Sequence, residues 1–110
     1  MADRKIDEML RTAIEKKRLV KLTYQGKSRI IEPHDYGVHK GTVKLLSYQL
    51  AGASRGPLPN WRWMEVDGIT EIGLLDRTFR GGRPNAASKH HTWDELYLRV
   101  EPSEEEEDDD

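Results

Sequence analysis

The chain has no cysteine, which excludes disulfides, thiolate zinc sites and cysteine nucleophiles. It has no apolar run long enough to cross a membrane. Its first residues, Met1 to Glu8, are charged and lack the apolar segment of a signal peptide. A soluble, cytoplasmic protein is expected, with no membrane partner. Bases are missing from the last ten residues, which hold eight of the 20 carboxylates. The first 100 residues then carry a net charge of +6. Such a body attracts polyanions, and the acidic end either competes with them or keeps the protein soluble. Apolar residues make up only 35% of the 110, so part of the chain is not expected to pack. The length suits one domain and one core. Residues 1–101 are read as that domain and 102–110 as a disordered acidic tail.

What remains is a regular series of short elements. Asp3 to Arg18 has Ile6, Met9, Leu10, Ala13 and Ile14 at helical spacing. Asp3 suits the N-cap, and Lys16, Lys17 and Arg18 suit the negative end of the dipole. One apolar stripe implies packing on a sheet. Leu19–Tyr24 and Ser28–Glu32 read as a hairpin around Gln25-Gly26-Lys27, with Pro33 ending the second strand. His34 to Gly41 reads as a loop. Thr42–Gln49 and Trp61–Val66 are the next strands, joined by a loop over 51–60 rich in Gly, Pro and Ser. Loops of that length often carry binding function, although a mobile insertion has the same composition. Ile69–Leu75 is a fifth strand, and Asp76 to Lys89 an irregular arm around Phe79. Thr92 and Glu95 have the spacing of a capping box. Trp93, Leu96, Tyr97 and Val100 then give a second helical stripe ahead of Pro102. Trp93 and Tyr97 are expected to dock on the body or on a second subunit rather than to stack bases.

The fold class is therefore mainly β (α+β). An N-terminal helix precedes a five-stranded SH3/Sm-like barrel, a short C-terminal helix and the tail. Alternation along a strand places Lys44, Leu46 and Tyr48 on one face, and Arg62, Met64 and Val66 on one face of the next strand. Each face sets one cation among apolar neighbours. That suits an anionic, partly flat ligand, and it also suits an ordinary strand whose end reaches water.

Several pieces in order resemble a WYL domain, a family of Sm-like β-barrel regulatory modules found mainly in bacteria. They are Ala13-Ile14, Val20–Tyr24, Arg29–Pro33, Gly41 with Val43–Tyr48, and Arg62–Ile69. The resemblance covers roughly residues 10–80. Val43 and Lys44 stand where the name-giving Trp and Tyr would be, and Gly68 stands where the family has a second arginine. Arg29, Tyr48, Arg62 and Asp67 match. The resemblance implies ligand sensing, often of nucleic acids or nucleotides, in transcription. The family is usually joined to a helix-turn-helix domain, for which residues 1–18 leave no room. Another chain would then read DNA, or the module would act as an accessory protein.

Arg29, Lys44 and Arg62 are the leading ligand candidates, followed by Lys21 and Tyr48. Arginine grips phosphate through its planar fork, and Tyr48 offers a stacking surface. The competing role for Arg29 and Arg62 is pairing with Glu32, Glu65 or Asp67 to fasten strands. His34, His39, His90 and His91 lack metal-ligand spacing, so no metal is expected. Residues 37–42 lack the order of a phosphate-binding P-loop, and no catalytic pattern stands out. No cofactor and no enzyme activity are expected. Two functions stay open. One is a regulatory module binding a nucleic acid or nucleotide. The other is a protein-interaction module that oligomerises or docks a partner, such as a DNA-binding regulator, through the Trp93 helix.

Overall fold

The computed structural model describes residues 3–83 and 93–102. Helix α1 spans Arg4–Lys16. The Asp3 carboxylate accepts from the backbone N–H of Lys5 (2.7 Å) and Ile6 (3.3 Å), as its place at the N-terminus requires. Lys17 adopts the left-handed conformation (φ 55°) and closes the other end on the Ala13 and Ile14 carbonyls. Ile6, Leu10, Ala13 and Ile14 are buried against the sheet.

Six strands follow: β1 Arg18–Tyr24, β2 Lys27–His39, β3 Thr42–Gly52, β4 Asn60–Glu65, β5 Ile69–Thr78 and β6 Glu95–Arg99. Every pairing between them is antiparallel. The order is β4-β3-β2-β1-β5, with β6 paired to β2 off this path. The expected closed five-stranded barrel is thus an open six-stranded sheet. A single 3-10 turn, Val66–Gly68, leads from β4 at one end of the path to β5 at the other. So short a connection brings the two ends close, and the sheet is curled without a closing ladder. The core fills the curl: Val20, Leu22, Tyr24, Ile31, Tyr36, Leu45, Met64, Val66, Ile69 and Val100, under α1.

Two expectations fail in the same place. Pro33 does not end β2, and residues 34–39 are strand rather than loop. The ladder to β1 covers Lys27–Ile31, and the ladder to β6 covers Asp35–Val38. Pro33 falls between these two partners, beside a register shift against β3. Its missing N–H therefore costs little, and β2 bends there instead of stopping. The expected C-terminal helix is strand β6, because the outer half of β2 offers an unpaired edge that β6 fills. The helical spacing of Leu96, Tyr97 and Val100 is overruled by that long-range pairing. Thr92, the supposed cap, lies outside the described residues, as do 84–89 of the supposed arm and 103–110 of the tail. Of the arm, Asp76, Arg77 and Thr78 belong to β5, and Phe79 packs against the core.

The β2–β6 contact needs glycine at 37. A Cβ there would stand 2.3 Å from the Glu95 carbonyl oxygen and 2.9 Å from the Leu96 Cα. Gly37→Ala is expected to detach β6 while leaving β1–β3 paired. Amide exchange should accelerate at residues 95–99 far more than at 20–24. Uniform protection in the variant would contradict the argument.

Candidate functional site

The ladders sort the candidate residues by face. In an antiparallel pair, directly opposite residues lie on the same side. Ser47 faces Arg62 and Leu45 faces Met64, whereas Lys44 faces Glu65, Leu46 faces Trp63 and Tyr48 faces Trp61. Arg62 is therefore on the core side of the sheet, and Lys44 and Tyr48 are on the opposite side. Arg29 joins Arg62, since its guanidinium donates to the Gln49 Oε1 (3.4 Å) beside Ser47. Lys21 is exposed and pairs with Ile30, on the side away from Leu22 and Arg29. The five candidates thus divide into two groups. Leu45 and Leu46 are both fully buried, so β3 is covered on both faces rather than half open to water.

Arg29 and Arg62 line a cavity of about 500 Å³ with Gln25, Lys27, Ala53, Ser54 and Arg55. Four of the seven lining residues are cations and none is a carboxylate. The β1–β2 turn supplies Gln25 and Lys27, and the loop after β3 supplies Ala53, Ser54 and Arg55. That loop is anchored from within. The fully buried Gln49 donates through Nε2 to the carbonyls of Ala51 (3.1 Å) and Ala53 (2.8 Å). Arg62 donates to the Trp61 carbonyl (2.9 Å) and to the Ser54 hydroxyl. The Arg29 guanidinium lies 5.1 Å from the centre of the Tyr24 ring.

Gly68 explains the place of Tyr24. A Cβ at 68 would come within 2.8 Å of that ring. The arginine that the resemblance leads one to expect there would displace the tyrosine that backs Arg29. Neither Arg29 nor Arg62 makes an ion pair with Glu32, Glu65 or Asp67, the strand-fastening partners considered above. Among the described residues, Lys27 and Arg55 have neither an ion-pair nor a side-chain hydrogen-bond partner. The buried Nε of Arg29 also lacks a partner. Lys27 and Arg55 were missed in the sequence because turn and loop residues carry no periodicity. The only signal was the length of the loop.

The opposite face is internally engaged. Arg83 donates to both Glu32 oxygens (2.8 and 2.7 Å) and lies 3.9 Å from the Tyr48 ring centre. Tyr48 also meets Trp61 edge-on at 5.1 Å. The surface offered by Tyr48 for a base is thus already occupied. Lys44 Nζ is 3.4 Å from His39 Nδ1 and 6.0 Å from the Trp63 ring. Trp93 packs on Trp63 (5.4 Å) and His39 (5.9 Å), within the same chain. Tyr97 packs on Tyr36 at 5.1 Å. His34 is fully buried between Trp61 and Phe79. His90 and His91 lie outside the described residues. No group of three or more metal-ligating side chains converges among the described residues.

With this geometry in hand, likeness to known proteins is informative mainly about fold. A structure of proteasome accessory factor B/C of Arthrobacter aurescens superposes with a TM-score of 0.65 at 21% identity. The match covers 89% of this chain but only 16% of that one. The shared feature is the fold, and it supports a WYL-like architecture. No protein-family model and no curated protein matches the sequence. Among the described residues, no helix is long and apolar enough to cross a membrane.

Glu32 carries a pH signature. Burial alone would raise its carboxyl pKa, but hydrogen bonds from His34 and Arg83, with the Arg83 charge, together outweigh burial and hold it below the ordinary value of 4.5. A depressed folded pKa contributes stability that is fully present above the unfolded value. It is lost as pH falls through the folded one. The urea midpoint should therefore drop below about pH 4.5, and less so in Glu32→Gln. Arg83→Ala leaves Glu32 buried without its guanidinium and should cost on the order of 3 kcal/mol at neutral pH. An Arg83→Ala midpoint equal to wild type would remove Glu32–Arg83 from the list of structural determinants.

Proposed function

We propose that this chain is a non-enzymatic regulatory module that binds a nucleic acid or nucleotide-like anion in the cavity between the β1–β2 turn and the loop after β3. Transcriptional regulation is the setting that the WYL-like architecture suggests. The observation that carries the proposal is the charge of the cavity. Four cations share one concavity with no carboxylate in its lining, and among the described residues none of them is neutralised by an ion pair. Like charges held this way repel, and a bound anion removes the repulsion. Arg29 and Arg62 supply planar forks, Lys27 and Arg55 supply mobile charge, and Ser54 and Gln25 supply polar contacts. A volume near 500 Å³ suits one nucleotide unit of a longer strand or a free nucleotide. The fold likeness to an accessory factor favours a regulatory role over a catalytic one.

The protein-interaction reading rested on the barrel together with a helix that presents Trp93. Residues 95–99 of that segment are strand β6, and the Trp93 ring just ahead of it packs against Trp63 and His39. The anion-binding reading therefore leads.

The test is an anisotropy titration of short labelled single-stranded DNA, RNA and nucleotides at two salt concentrations. Arg62→Ala and Arg55→Ala should each weaken binding about tenfold at low salt. Each should also lower the slope of log K against log salt by roughly 0.7. Lys44→Ala, on the other face, should bind as wild type does. Equal losses in all three variants would point to diffuse surface charge and sink the cavity assignment.

A further inference from the structure

We infer that the cationic cavity is a receptor for a phosphomonoester, the terminal phosphate of a free nucleotide or of a strand end, and that it holds this group without reading the base. The inference rests on the cavity being an anion site, and it names the chemical group that the site selects.

Three observations point this way. The first is the charge gathered in one place. Lys27, Arg29, Arg55 and Arg62 line a volume of about 500 Å³ with no carboxylate among them. A phosphodiester brings a single negative charge, whereas a phosphomonoester brings about −1.5 to −2 at neutral pH, with three acceptor oxygens. Lys27 and Arg55 are exposed and have no ion-pair partner among the described residues, so the more highly charged group gains more from them. The second is what the lining lacks. None of its seven residues is aromatic. The Tyr24 ring is buried with the Arg29 guanidinium over it, and Tyr48 and Trp61 lie on the opposite face. Sites that track single strands set stacking rings along a basic groove of about four nucleotides or more. Here no ring is offered to a base. Ser54 donates its hydroxyl to the Gly56 carbonyl (3.0 Å) and accepts from Arg62, so it is spent within the site. Gln25 is the one neutral lining side chain left to meet a sugar or base edge.

The third observation is rigidity. Backbone hydrogen bonds stitch the two walls of the cavity together. The Ala53 N–H donates to the carbonyl of Ser28 (3.0 Å), which sits between Lys27 and Arg29 in the chain. Gly52 (φ 102°) packs there so closely that a Cβ would strike the Ser28 carbonyl oxygen. Gln49 holds the Ala51 and Ala53 carbonyls, and the Gln25 N–H is taken by the Gly68 carbonyl (3.0 Å). Like charges would drive a loose loop outward, whereas these contacts keep the cations together before any ligand arrives. A set of donors fixed in advance favours a compact group of concentrated charge over an extended strand that offers one charge per unit.

The test is a set of calorimetric titrations of the full chain at low salt. A tetranucleotide with a 5′-phosphate should bind about tenfold more tightly than the same strand with a 5′-hydroxyl. It should also outbind the 5′-methyl phosphate, which adds only a methyl group and removes the second charge, by about tenfold. AMP, CMP, GMP, UMP and ribose 5-phosphate should bind within about threefold of one another, and adenosine should not bind. In Lys27→Gln and Arg55→Gln, both at exposed positions, the preference for the phosphate over its methyl ester should shrink by about threefold. A phosphorylated strand that outbinds AMP names the strand end as the source, and equal affinities name the free nucleotide; both sustain the shared chemistry. Strands that bind equally with and without the terminal phosphate overturn the inference and leave the anion site standing. So does a spread of more than about tenfold among the four nucleotides, which would mean that the base is read. A preference that neither lining variant changes places the phosphate elsewhere and overturns the inference as well. Failure of every strand, nucleotide and ribose 5-phosphate to bind removes both the inference and the reading beneath it.

Discussion

Two carboxylates three residues apart on β2 organise the molecule. Glu32 and Asp35 are both buried, one on each side of the point where β2 changes partners. Each is gripped by an arginine from the last third of the described chain. Arg83 takes Glu32, and Arg99 takes Asp35 through two contacts of 3.1 Å. A buried carboxylate without such a partner is strongly destabilising, so neither arginine segment can leave its place cheaply. Arg99 holds β6 in register on the outer half of β2. Arg83 holds the segment after β5 across β2 and β3. Pro33 lies between the two pairs and fixes the bend.

The bend has a consequence for the opposite end of the sheet. With β2 curved, the β1–β2 turn and the loop after β3 come to the same rim, and Arg62 of β4 faces them from below. Small supports fix the rest. Gln49 ties down the loop and receives Arg29. Gly68 makes room for Tyr24, whose hydroxyl accepts from the Glu65 N–H (3.0 Å) and whose ring backs Arg29. The same glycine that departs from the WYL pattern is thus part of how the cavity is built. Lys27 and Arg55, on flanking turns, add two cations to its lining.

What could be read from the sequence followed its range of interaction. The N-terminal helix, its Asp3 cap and the turn of the first hairpin rest on local chemistry, and the structure has the helix, the first strand and the start of the second within two residues. The strands starting at Thr42 and Ile69 were legible from alternation and composition, though each runs three residues longer than expected. The errors concern Pro33, residues 34–39 and β6. At each of these a local signal, a proline or a helical spacing, is overruled by pairing between distant parts of the chain. The site was legible only in part for a related reason. Arg29 and Arg62 meet because of sheet register, and no spacing in the sequence shows that Lys44 and Tyr48 point the other way.

The distribution of ion pairs separates structure from function. Arg4, Arg11, Arg18, Arg83 and Arg99 each have a carboxylate within 4 Å. The exposed pair at Arg4 contributes little, whereas those to Glu32 and Asp35 hold elements together. Among the described residues, Lys27, Arg29, Arg55 and Arg62 have none, although Glu65 and Asp67 lie on or next to the strand that carries Arg62. A fold optimised for stability alone would disperse or pair these charges, since holding them in one concavity only adds repulsion. Their isolation is what the proposed anion site requires.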